Sequence, residues 1–215
     1  MLYVINFKCY REGTGENALK LAKALEEVSK EERRKVILAV QPADIFRVSK
    51  EVTLPIFSQH IDNIGYGAYT GSILPESVRR AGAKGTLLNH SEKRIPLNLL
   101  ESYIRRAKEA KLKVIVCCEN ASEVKKIANF EVKPDFIAVE PKELIGGNVS
   151  VSKAKPDLIK KSVENAGNIP LLCGAGIKSR EDVIIAKRLG AKGVLIASGI
   201  VRSRKPGDAL RELFI

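Results

Sequence analysis

The sequence has no tryptophan, one methionine and two histidines, and its aromatic residues amount to only 5%. Each scarcity excludes something. So few rings leave little platform for stacking bases, on which single-strand nucleic-acid binders rely. His60 and His90 are too few for a zinc cluster, and Cys117-Cys118 is too tight for a CxxC redox or zinc pattern. No apolar run approaches the ~18 residues of a membrane span. The opening MLYVINFKCYREGTGE turns charged soon after its short apolar stretch, unlike a secretory signal. A GxGxxG phosphate loop after the first strand-like run is also missing, which counts against a dinucleotide fold.

What is present is ample apolar material, 45% hydrophobic against 29% charged residues, in 215 residues. That balance supports one folded domain over 1–215 and argues against disorder. The four cysteines are Cys9, Cys117, Cys118 and Cys173. Cys9, Cys117 and Cys173 stand at or near the ends of expected buried strands, where a thiol behaves as a small hydrophobe. The chain therefore reads as a reduced, cytoplasmic protein without structural disulfides. The net charge is +12, but lysine and arginine are interleaved with glutamate along helical stretches such as EEVSKEERRK. No block of like charge marks a nucleic-acid binder, so neither nucleic acid nor membrane is expected as a partner. Heavy Lys/Glu/Arg usage without tryptophan is compatible with a thermophilic source.

Short apolar runs alternate with longer amphipathic ones along the whole chain. Strand-like runs occupy 2–7, 35–40, 55–59, 85–89, 113–118, 135–140, 169–173 and 193–198. They are apolar on successive positions, as parallel strands covered on both faces require. Helical spacing appears at 15–28 (Leu19, Ala22, Leu25, Val28), at 98–110 (Leu99, Tyr103, Ile104, Ala107) and at 179–190. The last opens on a capping pair, Ser179 and Asp182, and stops at Gly190. Pro42, Pro75, Pro96 and Pro156 lie where helices can start. RRAGAKGTLL (79–88) and KRLGAKGVLI (187–196) repeat one connection from helix to strand, which suggests a repeated architecture. Strands about 25 residues apart favour a closed (β/α)8 barrel of parallel strands ringed by helices, somewhat shorter than the ~250 residues typical of that fold.

In such a barrel, chemistry sits at the C-terminal ends of the strands. Those ends carry Asn6 and Lys8, Gln59, Asn89 and His90, and Glu140, followed by glycine-rich loops. A carboxylate, an imidazole, an ammonium and a backbone that can cradle phosphate suit proton abstraction next to a carbonyl on a phosphorylated compound. Negative charge then develops on oxygen, so donors must already point there. Taken singly, His90 could be a core histidine and Lys8 a surface lysine. Glu140, at the end of an apolar strand, must pair or work. His60 reads as structural or exposed, and Cys9 and Cys173 as space-filling.

Three segments then become specific. N-x-K at Asn6–Lys8, N-H-S-E-x-R at Asn89–Arg94 and A-V-E-P at Ala138–Pro141 resemble the signature segments of triosephosphate isomerases in order, spacing and strand assignment. The short length and the CGAGI and ASGI phrases resemble the compact archaeal branch. The resemblance implies a TIM barrel that interconverts dihydroxyacetone phosphate and glyceraldehyde 3-phosphate without metal or organic cofactor. It implies Glu140 as base and His90 as electrophile, in a family that is the worked case of a neutral catalytic imidazole. Lys8 and Asn6 would bind substrate, and Glu92 would be a buried acid near Lys8. Phosphate would rest on Gly146, Gly174, Gly176, Ser198 and Gly199, under a lid formed by 141–147. The lid phrase PKELIGGNVS lacks the family's usual Gly-Thr-Gly hinge, having Gly147-Asn148 instead, and Gly176 stands where many members have serine. Residues 62–72, with Thr70 near the tip, resemble the family's projecting intersubunit loop. A homo-oligomer follows, with a tetramer favoured over a dimer. Other phosphate-binding barrels, such as phosphoribosylanthranilate isomerases, share the glycine-rich ends of strands seven and eight but not the three segments together.

Overall fold

The computed structural model describes residues 1–141 and 154–215. Eight parallel strands close on themselves in sequence order: β1 (Leu2–Asn6), β2 (Lys35–Val40), β3 (Ile56–Ser58), β4 (Gly85–Leu88), β5 (Lys113–Cys118), β6 (Phe136–Val139), β7 (Leu171–Cys173) and β8 (Gly193–Ile196). Closure is made by β1, which pairs with β2 through Leu2↔Lys35 and with β8 through Leu2↔Gly193. Every expected strand is present, shortened by up to two residues at an end.

Alternation along each strand divides the apolar residues between two cores. Val4, Ile37, Ala39, Phe57, Leu87, Ile115, Ala138, Leu172 and Leu195 form one cluster, the barrel interior. Their strand neighbours, among them Tyr3, Ile5, Leu38, Val116 and Ile137, join the larger cluster between barrel and helices. Both faces are covered, which is why the strands read as unbroken apolar runs.

The described helices are α1 (Glu16–Glu31), α2 (Ile45–Glu51), α3 (Pro75–Arg80), α4 (Leu97–Glu109), α5 (Ala121–Ala128), α6 (Pro156–Ala166), α7 (Arg180–Arg188), α8 (Ser198–Val201) and α9 (Pro206–Arg211). The capping box on α7 is formed, with Ser179 and Asp182 exchanging side-chain and backbone hydrogen bonds. Pro75 and Pro156 open α3 and α6, whereas Pro42 begins only a single 3-10 turn. The buried face of α4 runs through Leu100, Ile104 and Ala107, and Leu99 points outward at 46% exposure. Of the expected set, Ile104 and Ala107 are buried and Tyr103 packs against the core, so only Leu99 is misplaced, with Leu100 in its stead. Cys9 also departs from expectation. It lies exposed in the turn after β1, while Cys117, Cys118 and Cys173 are buried. No described helix is long and apolar enough to cross a membrane.

Candidate active site

The alternation that fills the barrel also aims its functional groups. Asn6 follows Val4 by two positions, Asn89 follows Leu87 and Glu140 follows Ala138, so all three continue inward-facing rows past the last apolar layer. Asn6, Asn89, His90 and Glu140 are buried. Together with Lys8, Tyr10, Gly176, Lys178, Ser198 and Gly199, the first of these, His90 and Glu140 line one cavity at the C-terminal mouth.

Two turns in left-handed backbone bring the side chains round. Lys8 has φ +49° and Asn89 φ +58°, a conformation costly for lysine and tolerated by asparagine. Asn89 locks its turn with both ends of its amide, donating to Cys117 O at 2.9 Å and accepting from the Ile95 N–H at 2.9 Å. The Asn6 Oδ1 accepts the Lys8 N–H at 3.0 Å, and Gln59 donates to Lys8 O at 2.9 Å. Lys8 is therefore fixed by its neighbours, and its ammonium reaches Glu92 at 2.7 Å.

His90 is held in one tautomer. The Glu92 backbone N–H lies 3.2 Å from Nδ1 and donates to it. That nitrogen must carry the lone pair, so in a neutral ring the proton sits on Nε2. Nε2 lies 3.5 Å from Asn6 Nδ2 and 3.7 Å from Glu140 Oε2. Two N–H donors cannot satisfy one another, so both remain available to an oxygen placed between them. Glu140 Oε2 is buried and has no hydrogen-bond partner among the described residues. Burial foremost, with the negative charge of Glu140 next, pushes the Cys117 thiol pKa well up.

Opposite these groups lie the glycine-rich turns. Ala175 and Gly176 are consecutive left-handed residues, φ +66° and +69°. Ser198 and Gly199 open the one-turn helix α8, whose first N–H groups have no acceptor within the helix.

Two expectations are corrected, and a third falls outside the described residues. Glu92 is not a buried acid: its side chain is 58% exposed, although it does pair with Lys8. Gly174 faces the Glu140 carboxyl group and does not offer its N–H to a phosphate. Its N–H donates to Val139 O at 2.9 Å, and its missing side chain makes room for Glu140. Gly146 and all of the expected lid beyond Pro141 lie outside the described residues. Tyr10, Ala175 and Lys178 line the cavity without having been singled out. Tyr10 and Lys178 stand two residues beyond Lys8 and Gly176, so the strand-end rule, extended by two positions, would have reached them. His60, read as structural or exposed, is buried at 6% and contacts Asp62 at 3.2 Å.

A family model described as triosephosphate isomerase matches residues 1–211. The chain belongs to the triosephosphate isomerase family. Proteins named triosephosphate isomerase are 46% identical in Methanobacterium bryantii, over 99% of this chain and 95% of that protein. The one in Methanothermus fervidus is 47% identical over 99% and 96%, and that in Methanocaldococcus jannaschii 45% over 99% and 98%. The crystal structure of triosephosphate isomerase from Bartonella henselae shares the fold at TM-score 0.71, with 21% identity and 93% of each chain covered. The activity is accordingly that of an aldose–ketose isomerase acting on triose phosphates, a reaction of glycolysis and gluconeogenesis in this family. Neither another phosphate-binding barrel nor a nucleic-acid-binding barrel is favoured.

Proposed function

We propose that Glu140 is the base that carries a proton between C1 and C2 of the triose phosphate, and that His90 and Asn6 stabilise the enediolate oxygens. The observation that carries this assignment is the Glu92 N–H donating to His90 Nδ1, which leaves the Nε2 proton facing the cavity. The carboxylate then removes a proton from carbon while the Nε2–H and Asn6 Nδ2–H meet the charge developing on oxygen. Lys8, largely covered and pinned by Asn6 and Gln59, supplies positive charge to the phosphate and the enediolate. The Gly176 turn and the start of α8 at Ser198 and Gly199 take the phosphate through their N–H groups, since glycine lets the anion approach the backbone closely. Gly146 would belong to the same anion site through the lid.

The reading extends to assembly. Tyr66 and Tyr69, 65% and 51% exposed, crown the loop of residues 62–72. Large rings held out of the core favour a contact with a second copy. A homo-oligomer, preferably a tetramer, of a cytoplasmic single-domain protein is the state proposed.

The test is turnover of the two triose phosphates by the wild type and by Glu140→Asp, with neither metal nor nucleotide added. Retreat of the carboxylate by ~1 Å should cost about two orders of magnitude in kcat. Unchanged kcat in the variant would remove Glu140 from the role of base while leaving the activity itself in place.

A further inference from the structure

The end of the barrel opposite the site holds a concentration of positive charge that the isomerase reaction does not use. A cavity of about 1000 Å³ opens there, at the N-terminal ends of the strands, within the size range of small-molecule sites. Eight of its sixteen lining residues are Lys or Arg, and none is Asp or Glu. The whole chain carries an excess of +12, so much of that excess is gathered on one concave face.

The sequence builds this ring by repetition. Lys35 and Lys113 are the first residues of β2 and β5, two positions before the inward-facing Ile37 and Ile115. Lys84 and Lys192 are the lysines of the two Ala-Lys-Gly phrases and stand just before β4 and β8. Their backbones are clamped in the first rungs of the barrel: the Lys84 N–H donates to Ile56 O at 2.7 Å, Lys192 N–H to Leu171 O at 2.7 Å, and Lys113 N–H to Lys84 O at 3.0 Å. Arg33 and Lys111, at φ +50° and +59°, follow the C-terminal ends of α1 and α4, and Arg34 and Arg79 complete the ring.

Each of these residues could be a local cap on a helix C-terminus, where cations are favoured. Local capping does not account for the absence of carboxylates. None of the eight makes an ion pair among the described residues, and the nearby acids are engaged elsewhere. Asp135 pairs with Lys108, and Glu31 and Glu32 pair with Arg211. The buried Nε of Arg34 has no hydrogen-bond partner among the described residues. Like charges fixed on a concave, partly apolar wall focus a field that attracts multivalent anions.

We infer that this face binds a small polyanion carrying a chain of at least three phosphates, whether inorganic or part of a nucleotide. The concave shape and the anchoring of the lysines on strand starts around one barrel end favour a compact ligand over a nucleic-acid duplex. The floor beneath the charges includes Phe57, Phe136 and Leu2, so a nucleoside would add apolar contact to the phosphate interaction.

The experiment is calorimetric titration of the full chain with tripolyphosphate and, separately, with magnesium-free ATP, at ~0.1 M salt. It uses the wild type, Lys84→Gln/Lys192→Gln and, as a control against binding at the catalytic mouth, Lys8→Met. The double variant should bind tripolyphosphate about tenfold or more weakly, having lost two charge-assisted contacts. Lys8→Met should bind as the wild type does. The double variant should also keep wild-type isomerase turnover and, without ligand, melt no lower than the wild type, because it relieves repulsion. Tighter binding of ATP than of tripolyphosphate would assign the nucleotide form, and equal binding the inorganic form. Equal affinity in wild type and double variant, loss of binding in Lys8→Met alone, or tighter retention of a single-stranded oligonucleotide than of tripolyphosphate would each overturn the inference. Because the readout is binding at the far face, its failure leaves the role of Glu140 untouched.

Discussion

A Cβ placed on Gly174 would lie 2.4 Å from the Cγ of Glu140 and 3.0 Å from its Cδ and Oε1. The glycine on β7's exit is thus the wall against which the proposed base rests. Its φ is not in the left-handed region, so the requirement is for space and not for backbone freedom. Gly174→Ala should displace the carboxylate and lower kcat by about a hundredfold, with a much smaller change in KM. Steady-state kinetics and a melting curve on the same preparation check this. A kcat near wild type would show that the carboxylate can rest elsewhere without loss.

Lys8 and Glu92 pair at 2.7 Å, with side-chain exposures of 11% and 58%. A pair with one exposed end contributes about 0–1 kcal/mol to stability. Its value then lies in placing the ammonium. Glu92→Gln keeps the backbone N–H that fixes His90, so activity should fall roughly tenfold or more while thermal stability barely moves. A loss of stability as large as the loss of activity would mean that the pair is structural.

His60 is buried beside Asp62 at the base of the 62–72 loop, and Asp62 Oδ2 accepts the Ile73 N–H at 2.7 Å. Burial lowers the His60 pKa below its ordinary 6.5; Asp62 opposes this and Lys93 adds to it. The folded protein therefore holds fewer protons on this group than the unfolded chain does. Its contribution to stability is complete above about pH 6.5 and is lost as pH falls toward the folded pKa. Wild type should lose more Tm than His60→Gln between pH 7 and pH 5. Parallel curves would remove His60 as the source of any acid sensitivity.

The exposed rings of Tyr66 and Tyr69 bear on assembly. Sedimentation should give a mass several times the 23.6 kDa of one chain. Tyr66→Asp/Tyr69→Asp should move it toward the monomer, because two charges on a packed apolar contact would have to be desolvated. A wild type that sediments as a monomer would end this reading of the loop.

Much of this molecule was legible in one dimension. Parallel strands buried on both faces must be apolar at every position, so all eight could be read and counted. Their order followed because short connections leave consecutive βα units adjacent. The strand-end rule then pointed to Asn6, Lys8, His90 and Glu140, since residues at and just past the C-terminal ends of the strands meet at the mouth. Tertiary structure decided what depends on distance between segments far apart in the chain. It made Gly174 the wall behind Glu140, left Glu92 exposed while paired across 84 residues, and turned His90 Nδ1 toward the Glu92 N–H. It also gathered lysines from four strand starts into one ring. Periodicity reports which face of an element is buried; it does not report which groups from other elements share that space, and the chemistry depends on the second.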